Sequence, residues 1–313
     1  MTVAPVRPTA PALAPEPVWF LELELTNRCQ LGCMHCYAGS GPAEGSGEMT
    51  RADWERLLAT APDAGIRVVQ FIGGEATLHP DFPHLAERAL GAGLKVQVYS
   101  NLYRVTNALW ELYSRPDVTL ATSYYSDLPA EHDRITGRKG SHSRTRAAVI
   151  EAVNRGIPLK VGIVDCGAPG QRAREAREEM IALGVAQVPA PDRIRGVGRA
   201  AQAMGIEANV HELCGRCGSG RAAVSWDGDV RPCVLSRFLP SAGNVRTTAL
   251  AHILGGAAWN ALLVQVPRRR EPDEECRPDS DGNDCRPAET VCEGDALVLP
   301  ELPARCDRPG GGG

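Results

Sequence analysis

The sequence predicts an α/β fold followed by a small cysteine-rich C-terminal domain. Three observations predict it. Apolar runs of strand length alternate with longer amphipathic segments from residue 19 to about 190. Glycine or proline punctuates most of these segments. Beyond about 210 the long apolar runs thin out, and seven of the eleven cysteines gather there.

The first strand is the alternating run 19–25, followed by a polar, glycine-rich loop over 39–48. Thr50 reads as an N-cap with Asp53 three residues on, and Trp54, Leu57, Leu58 and Ala61 follow at helical spacing. Gly65 stops that helix, and 66–72 is a buried strand. A helix carrying Phe82, Leu85, Ala86, Ala89 and Leu90 ends at glycines 91 and 93, before a strand at 94–99. A helix with Leu109, Leu112 and Tyr113 stops before Pro116, and a strand fills 118–123. A long polar loop is expected over 127–140. It is followed by a helix with Ala148, Val149, Ala152 and Val153, then a strand at 159–165. The last helix, 173–183, ends at Gly184 before a short strand at 185–188.

Six strands thus alternate with five helices, through connections long enough for right-handed crossovers. Such units build either an open doubly wound sheet or a partial (β/α)6 TIM-like barrel. The periodicity alone does not choose between them. In a barrel, chemistry sits at the C-terminal ends of the strands. The expected divisions are a disordered lead-in over 1–17, the barrel over 18–190 and a connector over 191–212. A cysteine-rich domain over 213–309 and a disordered glycine tail over 310–313 complete the chain. The connector contains Arg195-Gly196-Val197-Gly198-Arg199.

A net charge of −4 supplies no general attraction to nucleic acid or anionic membrane. The triplet Arg268-Arg269-Arg270 is answered by Glu271, Asp273, Glu274 and Glu275 and reads as a solvated segment. No apolar run reaches the roughly 18 residues of a membrane span, and the lead-in lacks the pattern of a signal peptide. A cytoplasmic location is therefore expected. In a reducing compartment eleven cysteines point to metal ligation rather than disulfides.

Cys29, Cys33 and Cys36 stand just past the first strand, with C-x3-C-x2-C spacing. Three thiols are one short of a closed zinc or iron–sulfur site. They form either half of a zinc site completed elsewhere or a [4Fe–4S] cluster with one iron open to a small molecule. Gly73-Gly74-Glu75 ends the second strand. There the backbone can approach a ligand closely and a carboxylate can accept from an ammonium group. Taken alone it is an ordinary strand-to-helix turn. Beside the three thiols, it suits an amino acid chelating the open iron.

The cysteine motif with its following aromatic Tyr37, the Gly-Gly-Glu turn and six βα units resemble the radical S-adenosylmethionine (SAM) enzymes over about 19–190. The resemblance implies that Cys29, Cys33 and Cys36 ligate a [4Fe–4S] cluster whose open iron binds SAM. It implies reductive cleavage of SAM to a 5′-deoxyadenosyl radical that abstracts a substrate hydrogen. It places Tyr37 beside the adenine, Gly73, Gly74 and Glu75 at the methionine end, and Ser100, Asn101 and Ser123 against ribose and carboxylate. Ala76 departs from the proline that many members carry after the glutamate.

Cys217 and Cys233, with Gly228 between them, resemble the opening of a SPASM domain, which holds auxiliary iron–sulfur clusters. The stretch 226–230 would be its hairpin, with Asp227-Gly228 at the turn. The resemblance implies at least one auxiliary [4Fe–4S] cluster on Cys217 and Cys233. Cys214, Cys276, Cys285, Cys292 and Cys306 are the candidates for the remaining ligands, although the last four are spaced more widely than the pattern. A zinc knuckle on Cys214 and Cys217 is the alternative.

Cys166 closes the fifth strand and is either a small buried hydrophobe or a hydrogen-atom donor to a substrate radical. His79, His84, His132 and His142 are expected to be mostly solvated. Asp127, His132, Asp133 and Arg134 sit in a loop where cofactor or substrate contacts are plausible.

Three functions follow. The first is a maturase that crosslinks a ribosomally made peptide, served by an external reductant of flavodoxin or ferredoxin type. Because only about 18 residues precede the barrel, a separate leader-peptide-binding protein is expected. The second is a redox-neutral epimerase of a peptide or small natural product, with Cys166 as donor. The third is a non-catalytic, metal-stapled binding protein, against which the intact motifs count.

Overall fold

The computed structural model describes residues 16–267. Residues 1–15 of the lead-in, the basic triplet, Cys276, Cys285, Cys292, Cys306 and the glycine tail lie outside the described residues. Strand β1 (Phe20–Glu24) leads through the cysteine loop to helix α1 (Arg51–Thr60). The Thr50 cap forms as its sequence dictates: the Thr50 hydroxyl accepts from Asp53 N–H, and the Asp53 carboxylate accepts from Thr50 N–H. Then follow β2 (Val68–Ile72), α2 (Phe82–Gly91), β3 (Lys95–Tyr99), α3 (Asn107–Tyr113) and β4 (Val118–Tyr124). Helices α4 (Pro129–Thr136) and α5 (Ser141–Asn154) precede β5 (Leu159–Asp165), α6 (Ala173–Ala182), β6 (Asp192–Arg193) and α7 (Arg199–Met204). The described chain ends with β7 (Arg221–Val224), β8 (Val230–Arg231), α8 (Leu250–Leu254) and α9 (Ala257–Gln265).

One sheet runs in the order β6-β5-β4-β3-β2-β1-β7-β8, parallel except for β8. It is an unclosed barrel with β6 and β8 at its two edges. Leu21, Leu23 and Leu25 share a core with Trp54, Leu57 and Leu58 of α1, while Phe71 meets Phe82 of α2 edge to face at 5.7 Å. Burying one such phenylalanine or leucine contributes roughly 1.5–3 kcal/mol. The alternate β1 side chains are buried too. Glu22 lies beside Gln70, which lies beside Gln97, so a polar row crosses three adjacent strands.

The structure departs from the sequence expectation in three places. The loop expected at 127–140 contains helix α4. Pro129 sits at its start, Gly137 ends it in the left-handed region at φ 64°, and it buries His132, Ile135 and Thr136. Its polar composition hid it, because two of the three residues it buries are polar. The expected sixth strand at 185–188 is reduced to a bridge from Gln187 to Lys160, and Asp192–Arg193 takes the edge against Val164 and Asp165. Lastly, β7 of the cysteine-rich segment continues the barrel sheet, with Leu23 between Phe71 and Val224. The Asp227-Gly228 hairpin forms as expected, with Gly228 at φ 89°. Among the described residues no helix is long and apolar enough to cross a membrane.

Candidate active site

Two supports hold the cysteine loop after β1. Cys29 N–H donates to the Gly41 carbonyl at 3.0 Å, closing the loop on itself. The last turn of α4 then offers two free carbonyls: Gly32 N–H donates to Thr136 at 2.9 Å and Met34 N–H to Ile135 at 3.0 Å. Cys29 is buried, with Cys33 and Cys36 half-buried.

The Gly-Gly-Glu turn is fastened to the same loop. Gly74 N–H donates to the Thr26 carbonyl at 2.7 Å and Glu75 N–H to the Arg28 carbonyl at 2.9 Å. A Cβ on Gly73 would stand 2.5 Å from the Thr26 oxygen, and one on Gly74 would stand 2.4 Å from the Arg28 oxygen. The glycines are needed because two backbones meet here. The Glu75 carboxylate turns away from the ligand space. One oxygen accepts from Thr77 N–H and hydroxyl at 3.2 and 2.7 Å, and the other accepts from Asn101 N–H at 2.8 Å. Asn101 in turn sends its amide to the Cys29 sulfur at 3.6 Å and accepts from Gln30 at 3.0 Å. Ser123 pairs with the Tyr99 hydroxyl at 2.8 Å, and Ser100 accepts from Leu102 N–H at 3.1 Å.

A cavity of about 260 Å3 opens over this loop. Cys29, Cys33, Cys36, Tyr37, Gly73, Gly74, Asn101 and Ser123 line it, and so do Cys214 and Cys233. Glu75, Ser100, Cys166 and Cys217 are not among the lining residues. Cys217 sits 2.8 Å from the Cys233 sulfur and also contacts Cys214, and all three thiols are buried. The hairpin and β7 therefore bring the second thiol group to the first.

The donor set fits iron–sulfur chemistry. Burial pushes the Cys29 thiol up to about 12, so thiolates there need a metal's positive charge. A cluster spreads such thiolates over several irons.

Cys166 is fully buried among Met34, Tyr125 and Ile135. Burial pushes its thiol up to about 12, and its sulfur is 3.5 Å from His35 Nδ1. The expectation of solvated histidines holds for His84 alone, which pairs with Glu55 on the surface. His79, His132 and His142 are buried. Within the 127–134 group, Asp127 pairs with Arg172 and Asp133 caps α5 through His142 N–H at 2.9 Å. Arg134 pairs with Glu131, and His132 reaches the cavity wall.

Sequence reasoning missed the charged interior of β1. Glu22 lines the cavity, accepts from Val234 N–H at 3.0 Å and faces Arg221 at 3.6 Å. Glu24 pairs with Arg237, which stacks on Trp226 at 4.0 Å. Burial pushes Glu24 up to about 7 against the pull of that guanidinium. The signal was present: carboxylates at alternate positions of a barrel strand point inward.

The profile of the radical SAM superfamily matches residues 23–180, and that of the SPASM iron-sulfur cluster-binding domain matches 214–286. A PqqA peptide cyclase of Xanthomonas axonopodis pv. citri is 36% identical over 158 residues, covering 49% of this chain and 41% of that protein. A probable GTP 3',8-cyclase of Methanothermobacter thermautotrophicus is 28% identical over 154 residues, covering 47% of this chain and 48% of that protein. The chain thus spans less than half the length of these curated relatives. Streptococcus suis SuiB bound to S-adenosylmethionine has a similar fold, with a TM-score of 0.64, 15% identity and coverage of 80% of this chain and 68% of that one. So does anSMEcpe with bound AdoMet and a peptide, at TM-score 0.61 and 14% identity, covering 90% and 93% of the two chains.

Proposed function

The chain belongs to the radical SAM superfamily, and on that premise we propose that it modifies a peptide, forming an oxidative crosslink. The observation that carries this reading is the shared cavity: Cys29, Cys33 and Cys36 line it together with Cys214 and Cys233. A substrate held there lies within reach of both thiol groups. Two likenesses favour a peptide. One matched relative is named for cyclising a peptide, and one structural neighbour has both AdoMet and a peptide bound.

When bound, the cluster and SAM supply one-electron cleavage of SAM and abstraction of a substrate hydrogen. The residues of this chain hold and shield the reactants. Cys29, Cys33 and Cys36 would ligate the cluster. Gly73 and Gly74 would hold the methionine end, Asn101 and Ser123, with Ser100 behind them, would meet the ribose and carboxylate, and Tyr37 would lie beside the base; all but Ser100 line the cavity. Glu75 supports this wall from behind, joining the ends of β2 and β3. Cys214, Cys217 and Cys233 would hold an auxiliary cluster that accepts the second electron of an oxidation. A further thiol would come from Cys276, Cys285, Cys292 or Cys306. A flavodoxin or ferredoxin would deliver the first electron, and a separate protein would present the leader peptide.

The test is co-production with a short peptide encoded beside the gene. The peptide should lose two hydrogens. A peptide of unchanged mass that takes up deuterium from heavy water would replace crosslinking with epimerisation.

A further inference from the structure

The connector closes on the cysteine loop at Gly198 and Arg199. Gly198 has φ +61°, and a Cβ there would stand 2.0 Å from the Tyr37 carbonyl oxygen and 2.7 Å from that of Cys36. Only glycine lets the two backbones meet so closely. Arg199 then donates its own N–H to the Cys36 carbonyl at 2.9 Å. Its guanidinium reaches around the loop, with Nη1 on the Cys33 carbonyl and Nη2 on the Ser40 carbonyl at 2.6 Å. One residue thus holds three carbonyls of the loop that carries the cluster thiols.

All of these acceptors are neutral. Among the described residues no carboxylate forms an ion pair with Arg199, so its charge is not locally offset.

We propose that Arg199 is a positioning residue for the cluster on Cys29, Cys33 and Cys36: its carbonyl contacts set the loop, and its charge favours the reduced cluster that SAM cleavage requires. The proposal rests on the reading of this site as a radical SAM centre. Reduction adds one electron, from the flavodoxin- or ferredoxin-type donor, and hence one negative charge to the cluster. A fixed cation stabilises the more negative state more. The arginine fork also orders the loop in a way that a lysine point charge reproduces only in part.

The experiment uses the full chain, reconstituted anaerobically, as wild type, Arg199→Lys and Arg199→Gln. Iron content reports cluster retention, and electron paramagnetic resonance at a fixed applied potential reports the reduced fraction. Arg199→Gln should retain its iron yet show a reduced-to-oxidised ratio about tenfold lower, the scale expected for losing one nearby charge. Arg199→Lys should stay within about threefold of wild type, because the charge remains. An unchanged ratio in Arg199→Gln, or an equal fall in both variants, would overturn the proposal. Where a variant sheds iron, greater loss from Gln than from Lys supports it and equal loss overturns it. A wild-type chain that takes up no cluster would overturn the reading of the site itself, and this proposal with it.

Discussion

Glu75→Gln separates two roles for the Gly-Gly-Glu turn. The carboxylate is buried, at 1% exposure, and its oxygens accept from Thr77 N–H, Thr77 hydroxyl, Asn101 N–H and the Ser100 side chain. Burial raises its pKa, and these hydrogen bonds lower it again. Glutamine keeps the shape but has one acceptor oxygen. If that oxygen faces Thr77, the new NH2 group points at Asn101 N–H, and turning the amide over moves the conflict to Thr77. Either way a buried donor loses its acceptor, which costs about 1–3 kcal/mol. Removing a buried charge offsets part of that cost. A net loss of about 2 kcal/mol, or roughly 4–8 °C in Tm for a domain of this size, should appear in thermal unfolding without SAM. If Glu75 acts instead as a direct acceptor for the SAM ammonium group, the SAM-free variant will melt with wild type and only SAM affinity will fall. That result would refute the strut.

His132 is held neutral by burial, its pKa lowered to about 3. Between pH 6.5 and that value the unfolded chain takes up a proton that the folded chain refuses, so stability falls as pH falls through the window. Denaturant titrations from pH 6.5 to 4.5 should show a contribution near 1.4 kcal/mol per pH unit that His132→Gln removes, and identical slopes would contradict it. Cys166→Ala should cost about 1 kcal/mol, because a small buried group is lost from an apolar cluster. It should leave the product of the reaction unaltered, and a stalled reaction at wild-type stability would restore Cys166 as a hydrogen donor.

Most of the barrel was legible because period-two and helical patterns dominate where apolar side chains pack. Leu57 and Leu58 on α1 and Phe82 and Leu85 on α2 carry that signal. Helix α4 was not legible, because His132 and Thr136 are buried through hydrogen bonds rather than apolar contact. The three motif cysteines and the two glycines could be placed at strand ends from the periodicity, whereas Asn101 and Ser123 came from the family resemblance; all line one cavity. The remainder depends on contacts distant in sequence: Arg199 reaches Cys33, and Arg237 reaches Glu24. Local spacing carries no record of either.

The central claim is that Cys29, Cys33 and Cys36 hold a cluster that cleaves SAM. Anaerobically reconstituted chain, given SAM and a strong one-electron reductant, should release 5′-deoxyadenosine and bind roughly eight irons if two four-iron clusters form. Alanine at all three positions should abolish the product while leaving the auxiliary iron in place. Wild-type protein with its cluster spectroscopically intact and reduced, yet releasing no 5′-deoxyadenosine, would contradict the account.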